Sequence, residues 1–153
     1  MSTPSLERDE VQRAVAQALD LAASLGASQA EAGASTERGL SVTVRLGEVE
    51  TLEYQQDRGL GITVYFGKRK GSASTADLSE RTVKETVEKA CSIARFTAED
   101  DCAGLADAEM MATDIQDLDL CHPWDIDAEG AIELARACES AGRGVDKRIN
   151  NSE

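Results

Sequence analysis

Aromatic side chains are scarce in this sequence: one tryptophan, two tyrosines and two phenylalanines make up 3% of the chain. Any core must therefore be aliphatic, drawn from the Ala, Val, Leu and Ile that supply most of the 41% hydrophobic content. Histidine occurs once, at position 122, which excludes an H-E-x-x-H metal pair. The four cysteines, Cys91, Cys102, Cys121 and Cys138, lie 11, 19 and 17 positions apart, with no C-x-x-C pair of the kind that builds zinc or redox sites. Reduced thiols in a cytoplasmic protein are the expectation. No apolar run approaches a membrane span, and MSTPSLERDE lacks a basic-then-apolar leader, so neither secretion nor a membrane partner is expected. Basic residues are also in deficit: 16 Lys and Arg against 29 Asp and Glu give a net charge of −13. Affinity for nucleic acid depends on cations that release counterions, so no direct nucleic-acid partner is expected.

What is present reads as one domain, residues 1–153, of an α+β class: an antiparallel meander sheet packed against two or three helices. Val11, Val15, Ala18, Ala22 and Leu25 step by four and three along a first helix over Leu6–Leu25, with Thr3-Pro4 at its start and Gly26 at its stop. The period then changes to two. Leu40, Val42, Val44 and Leu46 alternate with polar residues before a turn at Gly47-Glu48. Leu60, Ile62, Val64 and Phe66 do the same before a turn around Gly67–Gly71. Val49–Tyr54 forms a strand between them, with weaker strands at Ala30–Thr36 and Ser72–Thr75.

RGLSVTV (Arg38–Val44) and RGLGITV (Arg58–Val64) match at an offset of 20 residues. Two copies are too few for a stacked-repeat fold and suit two similar strands of one meander. Asp77-Leu78-Ser79-Glu80 has the capping-box form before a helical stripe of Val83, Val87, Ala90 and Ala94. A third helix is expected over Ala128–Ala141, capped by Asp127, with Ala131, Ala135 and Cys138 on its buried side. Val145–Glu153 reads as an incoming strand.

Charge is partitioned along the chain. Arg58, Lys68, Arg69 and Lys70 form a small basic island, the candidate contact for a partner or peptide. Between Arg95 and Arg136, by contrast, stand twelve acidic residues and no Lys or Arg, a pattern of a solvated face or of a surface for a basic partner.

The rare residues gather in DLDLCHPWDID, Asp117–Asp127. A zinc site needs three or four convergent ligands, and the adjacent Cys121 and His122 would point to opposite sides of an extended chain. Pro123 restrains His122 to extended geometry, and Trp124 would then serve as a packing anchor in a structured turn. Asp125, Asp127, Glu129 and Gly130 occupy the first, third, fifth and sixth positions of an EF-hand loop, with Ile132 at the eighth. Position twelve, which must supply a bidentate Glu, is Arg136. No G-x-S-x-G elbow occurs, and GKRKGS (Gly67–Ser72) lacks phosphate-loop spacing. No catalytic or metal-binding residue is assigned.

Several separated runs together carry a resemblance: VRLGEVETLEYQQDRGLGITVYFGKRKGSASTADLS (Val44–Ser79), ARFTAEDDCAGLADAEMMA (Ala94–Ala112), DLDLCHPWDID and RINNSE (Arg148–Glu153). The sequence resembles the N-terminal part of the PmbA/TldD family, and the DLDL-x-HPW and INNSE elements resemble its PmbA branch, also called TldE. The resemblance implies a cytoplasmic bacterial heteromeric metalloprotease. In that family the TldD subunit carries zinc in an H-E-x-x-x-H motif, and PmbA lacks the motif and acts as the partner enclosing the chamber. It implies peptide substrates, such as the microcin B17 precursor or the CcdA antitoxin, a TldD-like partner, and no cofactor in this chain. Family chains are longer, so the chain is expected to stop before a C-terminal domain. Two alternatives stay open: a metallopeptidase chain with its own site at His122, and an acidic interaction module that modulates DNA gyrase.

Overall fold

The computed structural model describes residues 4–120, 122 and 124–152. Cys121, Pro123 and Thr3 lie outside the described residues, and with them the restraint expected from Pro123, the Cys121-His122 comparison and the expected helix start. The elements run α1 (Pro4–Ser24), β1 (Gln29–Arg45), β2 (Glu48–Phe66), β3 (Arg69–Thr75), α2 (Glu80–Phe96), a 3-10 turn (Ala108–Met110) and α3 (Ala128–Gly144). The three strands form one antiparallel sheet in the order β1-β2-β3, so the class is α+β with a meander.

Chain packing divides the molecule into two compact units: Met1–Glu37 with Asp57–Thr113, and Arg38–Gln56 with Asp114–Glu153. Their boundary cuts both long strands. What the sequence shows as four short strands is thus two long ones, because the polar stretches Thr36–Arg38 and Gln55–Arg58 continue β1 and β2 with no buried face to maintain alternation.

The first unit holds the core. Leu60, Ile62 and Val64 project from one face of β2 onto Ala14, Ala18 and Ala22 of α1 and Val83, Val87, Ala90, Cys91 and Ala94 of α2. The buried alanines of α1 follow the four-residue step expected of one helix face, and the α2 stripe is the one read from the sequence. Burying each of Leu60 and Ile62 is worth about 1.5–3 kcal/mol. At Gly71 of β3 an added Cβ would lie 2.3 Å from the Ala90 carbonyl oxygen and 2.4 Å from the Ala94 nitrogen of α2. Only glycine permits that backbone approach.

The start of α2 corrects the expected cap. Ser79, not Asp77, is the N-cap, and its side chain makes no capping hydrogen bond. Asp77 instead accepts from the Ser79 amide (2.9 Å), the Ser79 hydroxyl (2.9 Å) and the Thr82 hydroxyl (2.7 Å). The carboxylate thus organises the turn before the helix.

The second unit comprises the far part of the β1/β2 hairpin, residues 114–127, α3 and the terminal stretch. Asp127 caps α3 as expected, its Oδ1 accepting from the Gly130 amide at 2.8 Å. A helix beginning at Ala128 is incompatible with an EF-hand loop over 125–136. Ala131 and Ala135 are half-buried and Cys138 is exposed, so the expected buried stripe of α3 is open. Residues 145–152 are turn and coil, not a strand: Asp146 Oδ1 accepts from the Arg148 amide at 2.9 Å and its carboxylate pairs with the Arg148 guanidinium; Glu153 lies outside the described residues. Among the described residues of this unit, Val44 is the large aliphatic residue that is buried.

Candidate functional site

The structure separates the basic island. Arg58 sits eight residues before the end of β2, roughly 25 Å along the strand from the turn that follows Phe66. Its guanidinium pairs with Glu10 of α1 at 3.5 Å. Beyond the turn, Lys68 donates to the Ala103 carbonyl oxygen at 3.2 Å, while its own carbonyl accepts from the Asp100 amide. Arg69 pairs with Glu99 at 3.3 Å and donates to the Arg95 carbonyl oxygen at 3.2 Å. These two cations thus anchor the acidic loop after α2. Lys70 is exposed on β3, opposite Tyr65 in the strand register.

His122 and Trp124 are both exposed, which corrects the reading of Trp124 as a packing anchor. The His122 Nε2 lies 3.9 Å from Asp119 Oδ2. Among the described residues no group of three or more His, Cys, Asp or Glu side chains could hold a metal ion.

A polar arrangement that no local sequence pattern announces lies in the second unit. Glu139 of α3 receives the amides of Leu46 and Gly47, the latter at 2.7 Å, and the Ser152 hydroxyl. These hydrogen bonds hold its carboxyl below the usual range, the Ser152 hydroxyl contributing most; burial opposes them, and the Gly47 and Leu46 amides and Arg143 add to the lowering. Arg136, one turn earlier, donates its Nε to the Gly47 carbonyl oxygen at 3.0 Å. Arg45 Nε donates to Asn151 Oδ1 at 3.2 Å and pairs with Glu50 at 3.4 Å.

The hairpin turn is thereby gripped from both sides of its backbone, and the INNS stretch is tied to the same spot. Leu46 and Gly47, at φ 53° and 85°, form a two-residue turn of the type that needs left-handed backbone at both positions. A leucine in that conformation, where Asn or Asp is usual, is the one sequence signal that extra support is present. The partner residues are some ninety positions away, and no local pattern encodes the pairing.

Solved structures share this architecture. A proposed modulator of DNA gyrase from Bacteroides thetaiotaomicron superposes with a TM-score of 0.78 at 22% identity, over 94% of this chain and 33% of that one. TldE from Thermococcus kodakarensis gives 0.67 at 18% identity, over 88% of this chain and 30% of that one. At these identities the likeness establishes a shared fold.

Sequence relatives go further. Residues 30–94 match the family described as PmbA/TldA metallopeptidase, domain 1. The chain is 49% identical to a metalloprotease PmbA homolog of Haemophilus influenzae over 95% of its length, and 47% identical to the metalloprotease PmbA of Escherichia coli over 100%. It spans about a third of the length of these curated relatives, 32% and 34% respectively. The chain belongs to the PmbA/TldA metallopeptidase family.

Proposed function

We propose that the chain acts as the first domain of a PmbA-type subunit that cuts no peptide bond itself and works in the cytoplasm with a zinc-bearing TldD-type subunit. The observation that carries this reading is the 47–49% identity to proteins called metalloprotease PmbA along nearly the whole chain. The role is to form part of the wall and partner surface of a peptidase chamber. Such a chamber admits flexible peptides, of the microcin-precursor or antitoxin kind, and excludes folded ones.

The sheet geometry suits that role. β1 is an edge strand, and an exposed strand edge can receive an extended peptide by main-chain pairing. Arg58, Lys68, Arg69 and Lys70 are the cations assigned to partner or peptide contact; Lys70 is exposed, Arg58 also pairs with Glu10, and Lys68 and Arg69 also hold the neighbouring loop.

Reconstitution tests the reading. Adding the PmbA-type protein that contains this domain to a purified TldD-type subunit should switch on hydrolysis of an unfolded peptide. His122→Ala should leave that activity unchanged, and Lys70→Glu should reduce it severalfold. Hydrolysis by the PmbA-type protein alone, abolished by His122→Ala, would overturn the proposal in favour of a metallopeptidase with its own site.

A further inference from the structure

Two stretches of the second unit that lie far apart in sequence, the hairpin tip at residues 45–47 and Asn151-Ser152, are tied to each other twice over. The direct tie runs from Arg45 Nε, which donates to Asn151 Oδ1 at 3.2 Å. The indirect tie runs through α3: Glu139 Oε1 accepts both the Leu46 amide and the Ser152 hydroxyl, while Oε2 accepts the Gly47 amide at 2.7 Å. One carboxylate oxygen thus serves donors from both stretches. An ionised carboxylate has acceptor sites for all three donors, and a charged acceptor makes the stronger kind of hydrogen bond.

The turn held in this way is the element with an alternative open to it. Leu46 and Gly47 both stand in left-handed backbone, at φ 53° and 85°. A two-residue hairpin needs that geometry, but a residue with a Cβ keeps it only while its surroundings enforce it. Arg136 supports the other side of the turn, its Nε donating to the Gly47 carbonyl oxygen at 3.0 Å. Arg45 also pairs with Glu50 at 3.4 Å, so departure of Asn151 does not leave its guanidinium without a partner.

We infer that Asn151-Ser152 is a latch for the hairpin tip. With the stretch seated, Glu139 is oriented onto the turn amides and the turn keeps its strained form. With the stretch withdrawn, the carboxylate loses its third donor and the turn loosens. Coupling of this kind passes through a hydrogen-bonded network that contains an element with two arrangements, here the turn. It is reciprocal, so whatever fixes the turn also seats the stretch. The latch lies within one unit and needs neither a second subunit nor a substrate, so it stands apart from the proposed role in a peptidase.

Hydrogen exchange of the Leu46 and Gly47 amides, read by NMR at neutral pH, tests the latch, with the α2 amides of the core as reference. Ser152→Ala should speed exchange at both turn amides about tenfold, the effect of losing one hydrogen bond to a charged group, and leave the α2 amides unchanged. Ser152→Thr, which keeps a hydroxyl, should restore most of the protection. Glu139→Gln should speed exchange similarly, and Ser152→Ala added to it should change little more, because both act through one carboxylate. In the reverse direction, Arg136→Ala should lower the backbone order parameter of Ser152. Turn amides indifferent to Ser152→Ala overturn the inference, as does a Ser152→Thr protein that exchanges as fast as Ser152→Ala. Additive effects of Ser152→Ala and Glu139→Gln, an order parameter unmoved by Arg136→Ala, or faster exchange shared equally by the α2 amides overturn it too.

Discussion

Leu46 occupies left-handed backbone at φ 53°, a region that disfavours a residue with a Cβ by about 1–2 kcal/mol. Leu46→Asn should therefore raise stability by about 1 kcal/mol, measured as a higher denaturation midpoint; an unchanged or lowered midpoint would show that the half-exposed leucine side chain is itself needed. The carboxylate that stabilises this turn, Glu139, titrates below its ordinary value of 4.5, chiefly through the Ser152 hydroxyl and then the two turn amides. A carboxyl whose folded value is depressed contributes stability above its unfolded value and loses it as pH falls through the folded one. Protection of the Leu46 and Gly47 amides from hydrogen exchange should thus be full above about pH 4.5 and decline below it. Glu139→Gln should show the weaker protection already at neutral pH, and equal protection in both proteins would remove the carboxylate from this role. Cys91 differs from the other described cysteines for a related reason. Burial pushes its thiol up, against the lowering effect of Arg95, whereas Cys102 and Cys138 are exposed. Alkylation near pH 8 should label Cys102 and Cys138 in the folded protein and reach Cys91 only after unfolding.

At the scale of elements, close approach between β3 and α2 is the most demanding packing feature. Gly71→Ala places a methyl group against the backbone of Ala90 and Ala94, and overpacking of this sort costs about 1–3 kcal/mol or more. Gly33→Ala, where the added atom meets nothing within 4 Å, is the matched control and should be nearly neutral. Equal effects from the two in thermal unfolding would refute the assigned contact. The α2 stripe was legible in the sequence because Val83, Val87, Ala90 and Ala94 all face the core, so burial and period coincide. The unity of β1 and of β2 was not, because alternation disappears where both faces of a ribbon are exposed, as along Glu48–Arg58. Asp77 and Ser79 both satisfy a capping pattern, and only the position of the first helical turn decides between them. The grip of Glu139 and Arg136 on the hairpin turn joins residues about ninety positions apart, which no periodicity can announce. Likewise the basic island was legible as a cluster only along the chain, since strand geometry carries Arg58 far from Lys68–Lys70.

The whole molecule unites a well-filled unit built on an alanine-rich core with a second unit whose apolar groups largely face outward. The −13 charge disfavours anionic contacts. No helix among the described residues is long and apolar enough to cross a membrane. Family membership was legible in separated motifs, and the structure gives one of them physical work: the INNS stretch ties to Arg45 and Glu139. Native mass spectrometry of the PmbA-type protein mixed with a TldD-type subunit tests the proposed role most directly, because it reads stoichiometry and bound metal together. The expected spectrum contains a heteromer that dissociates into a zinc-carrying TldD-type chain and a metal-free PmbA-type chain. A PmbA-type chain that carries one zinc by itself, or that never joins the other subunit, would contradict the proposal.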